Sequence, residues 1–451
     1  MIGLVTKVTV DIEADVEDED LDTEPRNTCV EDETIANPFL LVQDPELIKK
    51  VLVSDFEYFS DRSVMLNKND KYAAKTLFLM KNPNWKLTRT KVTSAFSYKK
   101  LKYMLPQIIE AGEELVATFE KNALGKESIN CRAYSVQYAI NVISACAFGY
   151  KARAHDTSKF AVAAQELQGT TFLRGIQLVS HFFAPMLVNL FRMKFCDPDS
   201  AKYLEQVLLG VIKERTASQS HCGDLVDLLI KMNHEDERFD NDALVSLSLQ
   251  YLVAGFETSG ATIAFTLHEL SLNQSVQNRL RNEILTVLEQ YGEITSEAIQ
   301  EMKYLDMVVK ETLRKYPTLA FLDRRCTKDY KIPNSDVTIE KGIPMYISLW
   351  SLHYDENYFP EPTKFDPERF SPENKSNIHP YTYMPFGEGY RNCLGTKLGI
   401  LSVCVGIIQV LRKFKIEKSV DTPETLTFEN GGFLIIPKGA AVYVKFKSLP
   451  Y

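Results

Sequence analysis

The chain has 451 residues, 45% of them hydrophobic and 25% charged, the balance of a globular fold with a large core. Its formal charge of -8 is concentrated at one end: residues 11–33 hold twelve acidic side chains against Arg26 alone, and without them and Lys7 the chain carries 50 basic and 48 acidic residues. That near-neutral body gives no ground for a nucleic-acid partner, and the lack of any run of eighteen apolar residues excludes a transmembrane helix in this sequence.

In chain order, residues 1–34 have too little apolar surface to bury and are expected to be disordered. Residues 1–10 are too short, and carry Lys7, to serve as a signal peptide. From Pro38 order begins, with a strand at 39–42 and a helix at 45–52 capped by Asp44. Helical periodicity then dominates, with clear helices at 84–96, 101–122, 136–148, 201–216, 241–272, 275–291 and 304–316. After Pro317 the pattern changes to short strands at 324–326 and 344–349, and a closing hairpin is expected from 433–436 and 441–446 around Pro437-Lys438-Gly439. The fold class is mainly α, a large helical body with small β-sheets, forming one domain over 35–451. The eight cysteines form no C-x-x-C pair and fit a reducing compartment. The seven histidines show no zinc spacing.

Three groupings precede the last motif. Trp85 and Arg89, four apart on one helical face, pair an indole donor with a guanidinium suited to a carboxylate. Alone the pattern is weak, and a core tryptophan beside a solvated arginine is the ordinary alternative. Inside the apolar run 241–272, Gly255 and Gly260 flank Glu257 and Thr258. Each glycine costs about 1 kcal/mol in a helix interior. Close packing explains an isolated one, but an acid and an alcohol at the weak point predict locally opened backbone that admits water and relays protons. Glu311 and Arg314 have the spacing of a surface pair worth a few tenths of a kcal/mol. Arg369, in Phe365-Asp366-Pro367-Glu368-Arg369-Phe370, offers a second guanidinium, and a carboxylate between two arginines can pin a loop to a helix.

The strongest signal is Pro385-Phe386-Gly387-Glu388-Gly389-Tyr390-Arg391-Asn392-Cys393-Leu394-Gly395, followed by an apolar helical stretch at 398–411. Most free cysteines are small buried hydrophobes, and glycine-rich turns before helices often hold phosphate, but no Gly-Lys-Ser/Thr follows here. Glycines 387, 389 and 395 let amide N–H groups approach the sulfur. The helix start adds the positive end of its dipole and Arg391 adds a full charge, so the loop favours a thiolate aimed at a metal. The pattern F-x-x-G-x-R-x-C-x-G, met by Phe386, Gly389, Arg391, Cys393 and Gly395, arises by chance on the order of once in ten thousand chains of this length.

That loop resembles the haem-binding loop of the cytochromes P-450. With WKLTR at 85–89, AGFETS at 254–259, ETLRKYP at 311–317, FDPERF at 365–370 and PFGEGYRNCLG at 385–395 in order, residues 37–450 resemble a microsomal cytochrome P-450 of the insect xenobiotic-metabolising type. The resemblance implies the cytochrome P-450 fold and haem b (iron protoporphyrin IX) as cofactor. It makes Cys393 the iron ligand, Phe386 a haem neighbour, and Trp85, Arg89, Arg391, Arg324 and Arg62 the binders of the haem propionates. Glu257 and Thr258 become the catalytic acid–alcohol pair, and Glu311, Arg314 and Arg369 a triad bracing the cysteine side.

The implied reaction is a monooxygenation, one atom of O2 entering a lipophilic small molecule (xenobiotic, hormone or lipid) contacted by residues 63–79, the segment before Gly255, 318–323 and 432–434. Electrons would come from NADPH through a flavoprotein reductase, with cytochrome b5 a further partner, at the cytoplasmic face of the endoplasmic reticulum membrane. Lys86, Lys91, Lys99, Lys100, Lys102 and Lys397 are expected to face the acidic reductase. Tyr390 stands where a proline is common, and Gly399 where the wider family often has alanine. No counterpart of the family's membrane anchor precedes Asn37, so a truncated member is expected, less stable than a full-length homologue. Two alternatives stand beside this reading: an isomerase or dehydratase on the same scaffold, which tends to lack the acid–alcohol pair, and an inactive haem-binding remnant.

Overall fold

Asp240 caps the helix Asn241–Leu272, its carboxylate accepting the Ala243 N–H at 2.8 Å. Apolar on nearly every side, this 32-residue helix is buried along most of its length and forms the axis of the molecule. In the computed structural model, residues 5–9, 28–32, 38–149, 157–167, 169, 172–219, 223–429 and 434–449 are described. Helices Tyr98–Asn122, Cys131–Phe148, Pro198–Ser218, Gln274–Tyr291, Lys303–Lys315 and Thr396–Lys413 pack around the axis or onto one another, in one continuous apolar core. The expected helices are thus present, mostly extended by a few residues. Helix Pro198–Ser218, for instance, begins earlier because Asp197 caps it and Pro198 occupies its first turn. Helix Pro45–Lys49 has the expected Asp44 cap and continues as a wider turn through Ser54.

The two glycines of the axis are explained by packing. A Cβ on Gly260 would sit 2.7 Å from the Val136 Cα, and one on Gly255 2.8 Å from Ile143 side-chain atoms. Helix Cys131–Phe148 therefore lies directly against the axis, which runs unbroken through both positions. The opened backbone expected there is not formed.

A mixed sheet places Phe321–Arg325 antiparallel to Pro344–Ser348, and Pro344–Ser348 parallel to Leu40–Leu41, a shorter strand than expected. Thr28–Asp32 adds to Leu40–Leu41, and Val5–Thr9 to Thr28–Asp32, both antiparallel. Two strands, the first of them rich in β-branched residues, thus fall within the segment 1–34 for which composition predicted disorder. The rest of that segment lies outside the described residues.

The closing hairpin is also corrected. Tyr443–Ser448 pairs with Phe414–Glu417 and with Ile129–Asn130, while Leu434 bridges Leu319. Both strand pairings bury Phe446 with Phe414 and Phe119, a long-range apolar cluster that no local turn could supply. Phe433 lies outside the described residues. Among those described, no helix is long and apolar enough to cross a membrane, and no cluster of three or more His, Cys, Asp or Glu side chains could hold a metal ion.

Candidate functional site

A cavity of about 300 Å³ lies between the axial helix and the loop that precedes helix Thr396–Lys413. Its lining brings together Cys393, Phe386, Trp85, Arg62, Arg89, Arg324, Arg391 and Thr258, residues separated by up to 331 positions in sequence. Glu257 is not among them.

The cysteine loop is held by backbone turns. Gly387 N–H donates to the Met384 C=O at 2.9 Å and Cys393 N–H to the Phe386 C=O at 2.8 Å. Gly389, at φ +72°, carries no Cβ because one would lie 2.0 Å from the Leu52 carbonyl oxygen. Cys393 is exposed to the cavity yet crowded by protein. Burial pushes its thiol up, while the Thr396 hydroxyl, the Gly395 N–H, the Arg89 guanidinium and the Thr396 N–H act in the opposite direction. Without a bound metal, burial outweighs these groups, so the net shift of the thiol is upward, opposite to the thiolate that the glycines and helix start suggested. The charge facing the sulfur, however, is that of Arg89, whose Nη2 donates to Asn392 Oδ1 at 2.8 Å.

Arg391 points elsewhere. Its Nε donates to the Ser60 C=O at 2.6 Å and its Nη2 to the Met80 C=O at 2.9 Å, and its guanidinium lies 4.2 Å from the Trp85 ring centre. Arg62 donates to Asp323 Oδ1 at 2.6 Å and lies over Phe78. Arg324 is fully buried, donates from Nη1 to the Asp323 C=O, and keeps an unpartnered Nε–H. Burial, then mutual repulsion with Arg62, lowers Arg324 to about 9; burial, then Arg62 and Arg324, lowers Arg391 to about 8.

Four guanidiniums thus line a cavity to which no carboxylate contributes, although Asp323 and Asp61 pair with two of them from behind. The donor set, guanidiniums beside a cysteine sulfur, fits a ligand that carries carboxylates and a thiolate-seeking metal. Gly395 supports that fit: it lines the cavity, and a Cβ there would meet no protein atom within 4 Å. The residues present therefore fit iron protoporphyrin IX.

On the axial helix, Thr258 lines the same cavity and donates its hydroxyl to the Ala254 C=O at 2.8 Å. Its neighbour Glu257 accepts a hydrogen bond from Arg132 Nη2, and Arg132 also donates to the Ala440 C=O at 3.3 Å. Arg132 was missed in the sequence because its partner lies 125 positions away.

The proposed triad assembles. Arg314 donates from Nε and Nη2 to the two oxygens of Glu311, each at 2.8 Å, with both side chains fully buried. Arg369 Nε lies 3.5 Å from Glu311 Oε1, which also accepts the Asp366 N–H at 2.9 Å. What the spacing alone suggested as a surface pair is a core ion pair.

The remaining walls are mainly apolar. Segments expected to contact substrate supply Tyr72, Phe78, Leu249, Val253, Thr318, Leu319, Leu322 and Leu434, while Gly432 lies outside the described residues. Phe96, Ile143, Leu167, Phe195 and Cys196 join them without having been anticipated, since nothing local distinguishes a cavity wall from a core position. In the basic run, Lys91 pairs with Asp236, Lys102 with Glu297, and Lys100 bonds the Gly223 C=O; Lys86, Lys99 and Lys397 are exposed.

The comparisons agree with this chemistry. The family model described as Cytochrome P450 matches residues 34–444. The chain is 36% identical over 396 residues to cytochrome P450 6l1 of Blattella germanica, covering 86% of this chain and 78% of the relative. It is 36% identical over 407 residues to cytochrome P450 6j1 of the same organism, with 89% and 81% covered. A probable cytochrome P450 6a13 of Drosophila melanogaster is 35% identical over 408 residues, with 89% and 82% covered.

Proposed function

We propose, from the premise that this chain belongs to the cytochrome P450 family, a site in which Cys393, Thr258 and four arginines act together on a lipophilic substrate. The family makes the protein a haem-dependent monooxygenase, an oxidoreductase that places one atom of O2 in a small lipophilic molecule with electrons from a redox partner. Haem, when bound through a thiolate, supplies the activation and cleavage of dioxygen. The isomerase and inactive-remnant readings are not favoured by these relatives.

The observation that carries the reading is the convergence of Cys393, Thr258 and the arginines on one cavity. Cys393 provides the sulfur ligand, with Phe386 beside it. Arg62, Arg89, Arg324 and Arg391 hold the propionates, with Trp85 under Arg391. Thr258 holds a proton at its Oγ1 on the oxygen side, and Glu257 stands one residue behind with its charge held by Arg132. Glu311, Arg314 and Arg369 brace the loop side. The apolar walls exclude water and orient lipophiles by shape.

The redox partner in this reading is an NADPH-dependent flavoprotein reductase, assisted by cytochrome b5, docking where Lys86, Lys99 and Lys397 are exposed. The domain is 35–451. In this reading the protein sits at the cytoplasmic face of the endoplasmic reticulum; membrane association itself is supported by exposed apolar side chains on helices Phe172–Phe183 and Pro185–Leu190 and the residue after them. There Leu173, Met186 and Leu190 are each 72% exposed and Phe191 65%. Turnover of a panel of lipophilic compounds with reductase, NADPH and isotopically labelled dioxygen tests the assignment. Label in the product is expected, and NADPH-independent conversion without label would contradict it.

A further inference from the structure

His353 ends the short helix Leu349–His353, outside the cavity, and is fully buried. Its ring nitrogens are both engaged. Nδ1 is 3.0 Å from the Arg314 C=O, which can only accept, so Nδ1 carries the proton. Nε2 then has a lone pair, and the Met384 N–H donates to it at 3.3 Å. Arg314 closes the link from the other side, donating from Nη1 to the His353 C=O at 3.1 Å. The ring stacks on Tyr383 at 5.5 Å between centroids and meets the edge of Phe359 at 6.1 Å, so it cannot turn freely.

The partners give this single tautomer its meaning. Arg314 belongs to the buried pair with Glu311, and Met384 begins the turn in which its C=O accepts the Gly387 N–H, next to Phe386, whose C=O accepts the Cys393 N–H. Tyr383 makes a parallel tie, its hydroxyl donating to the Lys310 C=O at 3.0 Å. A continuous series of hydrogen bonds therefore runs from the ion pair, through one imidazole, into the loop that carries the sulfur.

We propose that His353 is a positioning residue for Cys393, a two-sided connector that transmits the rigidity of the Glu311–Arg314 pair to the cysteine loop. The proposal rests on Cys393 being the iron ligand. A side chain that donates on one side and accepts on the other is required, and asparagine and glutamine each preserve one half: asparagine a donor near Nδ1, glutamine an acceptor able to reach the Met384 N–H.

The test follows the reduced carbon monoxide difference spectrum of the haem-loaded protein during mild heating, beside far-UV circular dichroism of the same samples. H353N is expected to lose the thiolate-type Soret band roughly tenfold faster than the unmodified protein while helix content is unchanged. H353Q, which still reaches Met384, is expected to lie between them. Loss of the band in H353N only in step with helix content, or at the unmodified rate, overturns the proposal. Should H353N fail to fold, amide exchange in the unmodified protein decides: slow exchange at Met384 is expected, and exchange as fast as in exposed loops overturns it. An unmodified protein without the thiolate-type band would overturn the assignment of Cys393, and this proposal with it.

Discussion

Glu257 is hydrogen-bonded to Arg132, whereas Thr258, the next residue, lines the cavity. The acid and the alcohol are therefore not equivalent. T258A is expected to lower product formed per NADPH consumed by roughly tenfold, because it removes a hydroxyl from the oxygen side of the cavity. E257Q is expected to change that ratio less and to cost about 1–2 kcal/mol of stability through its bond to Arg132. Coupling ratios and urea unfolding of the two variants check the distinction; equal uncoupling would place the Glu257 carboxylate in the cavity during turnover.

The Glu311–Arg314 pair should tolerate no conservative change. Arg314 uses three nitrogens, reaching both oxygens of Glu311, the His353 C=O at 3.1 Å and the Lys364 C=O at 3.3 Å. A lysine ammonium cannot make that fork, and leaving Glu311 unpaired in the core costs about 3–5 kcal/mol. R314K and E311Q are both expected to reduce haem-loaded protein severely, measured as the ratio of Soret to protein absorbance. R314K with unmodified haem content would show that charge alone suffices.

The arginine cluster predicts a preference for a dianionic porphyrin. Burial and the neighbouring guanidiniums lower Arg324 and Arg391, so carboxylates arriving beside them favour their charged forms. Iron protoporphyrin IX dimethyl ester is expected to bind at least about 3 kcal/mol more weakly than the free acid, two charge-assisted contacts being lost. Titration of haem-free protein with both porphyrins measures this, and equal affinity would remove the arginines from the binding account.

Acid should destabilise the protein through two buried histidines. Burial lowers His268 to about 4, opposed by Glu269 and Glu424 and aided by Lys315, and burial lowers His353 to about 3. A folded-state pKa below the ordinary 6.5 means that stability is fully present above pH 6.5 and is lost as pH falls toward 4 and then 3. Both His268 nitrogens lack hydrogen-bond partners, so H268L removes a buried polar group without breaking a bond. Between pH 6.5 and 4 its stability is expected to fall less steeply than that of the unmodified protein, by up to about 1.4 kcal/mol per pH unit. Parallel pH profiles would exclude His268 as an acid-sensitive group.

Much of this was legible in the sequence where the cause is local. The axial helix kept both its expected ends, because Asp240 caps it and its apolar run stops at Leu272. The cysteine loop was legible for the same reason, its glycines and helix start lying within a dozen residues of the sulfur. The misreadings share a different cause. Gly255 and Gly260 answer to Ile143 and Val136 on another helix, and strand Tyr443–Ser448 to Phe414–Glu417, all chosen by tertiary packing. His353 was passed over because its spacing suits no metal, although its two ring nitrogens connect backbone groups 70 positions apart.

The monooxygenase reading depends on the sulfur of Cys393 reaching iron, and the reduced carbon monoxide difference spectrum of the unmodified protein beside C393S reads that directly. The unmodified protein is expected to give the thiolate-type Soret band, and C393S to lack it even where haem is retained. A thiolate-type band that persists in C393S, or one that never forms in the unmodified chain, would contradict the account.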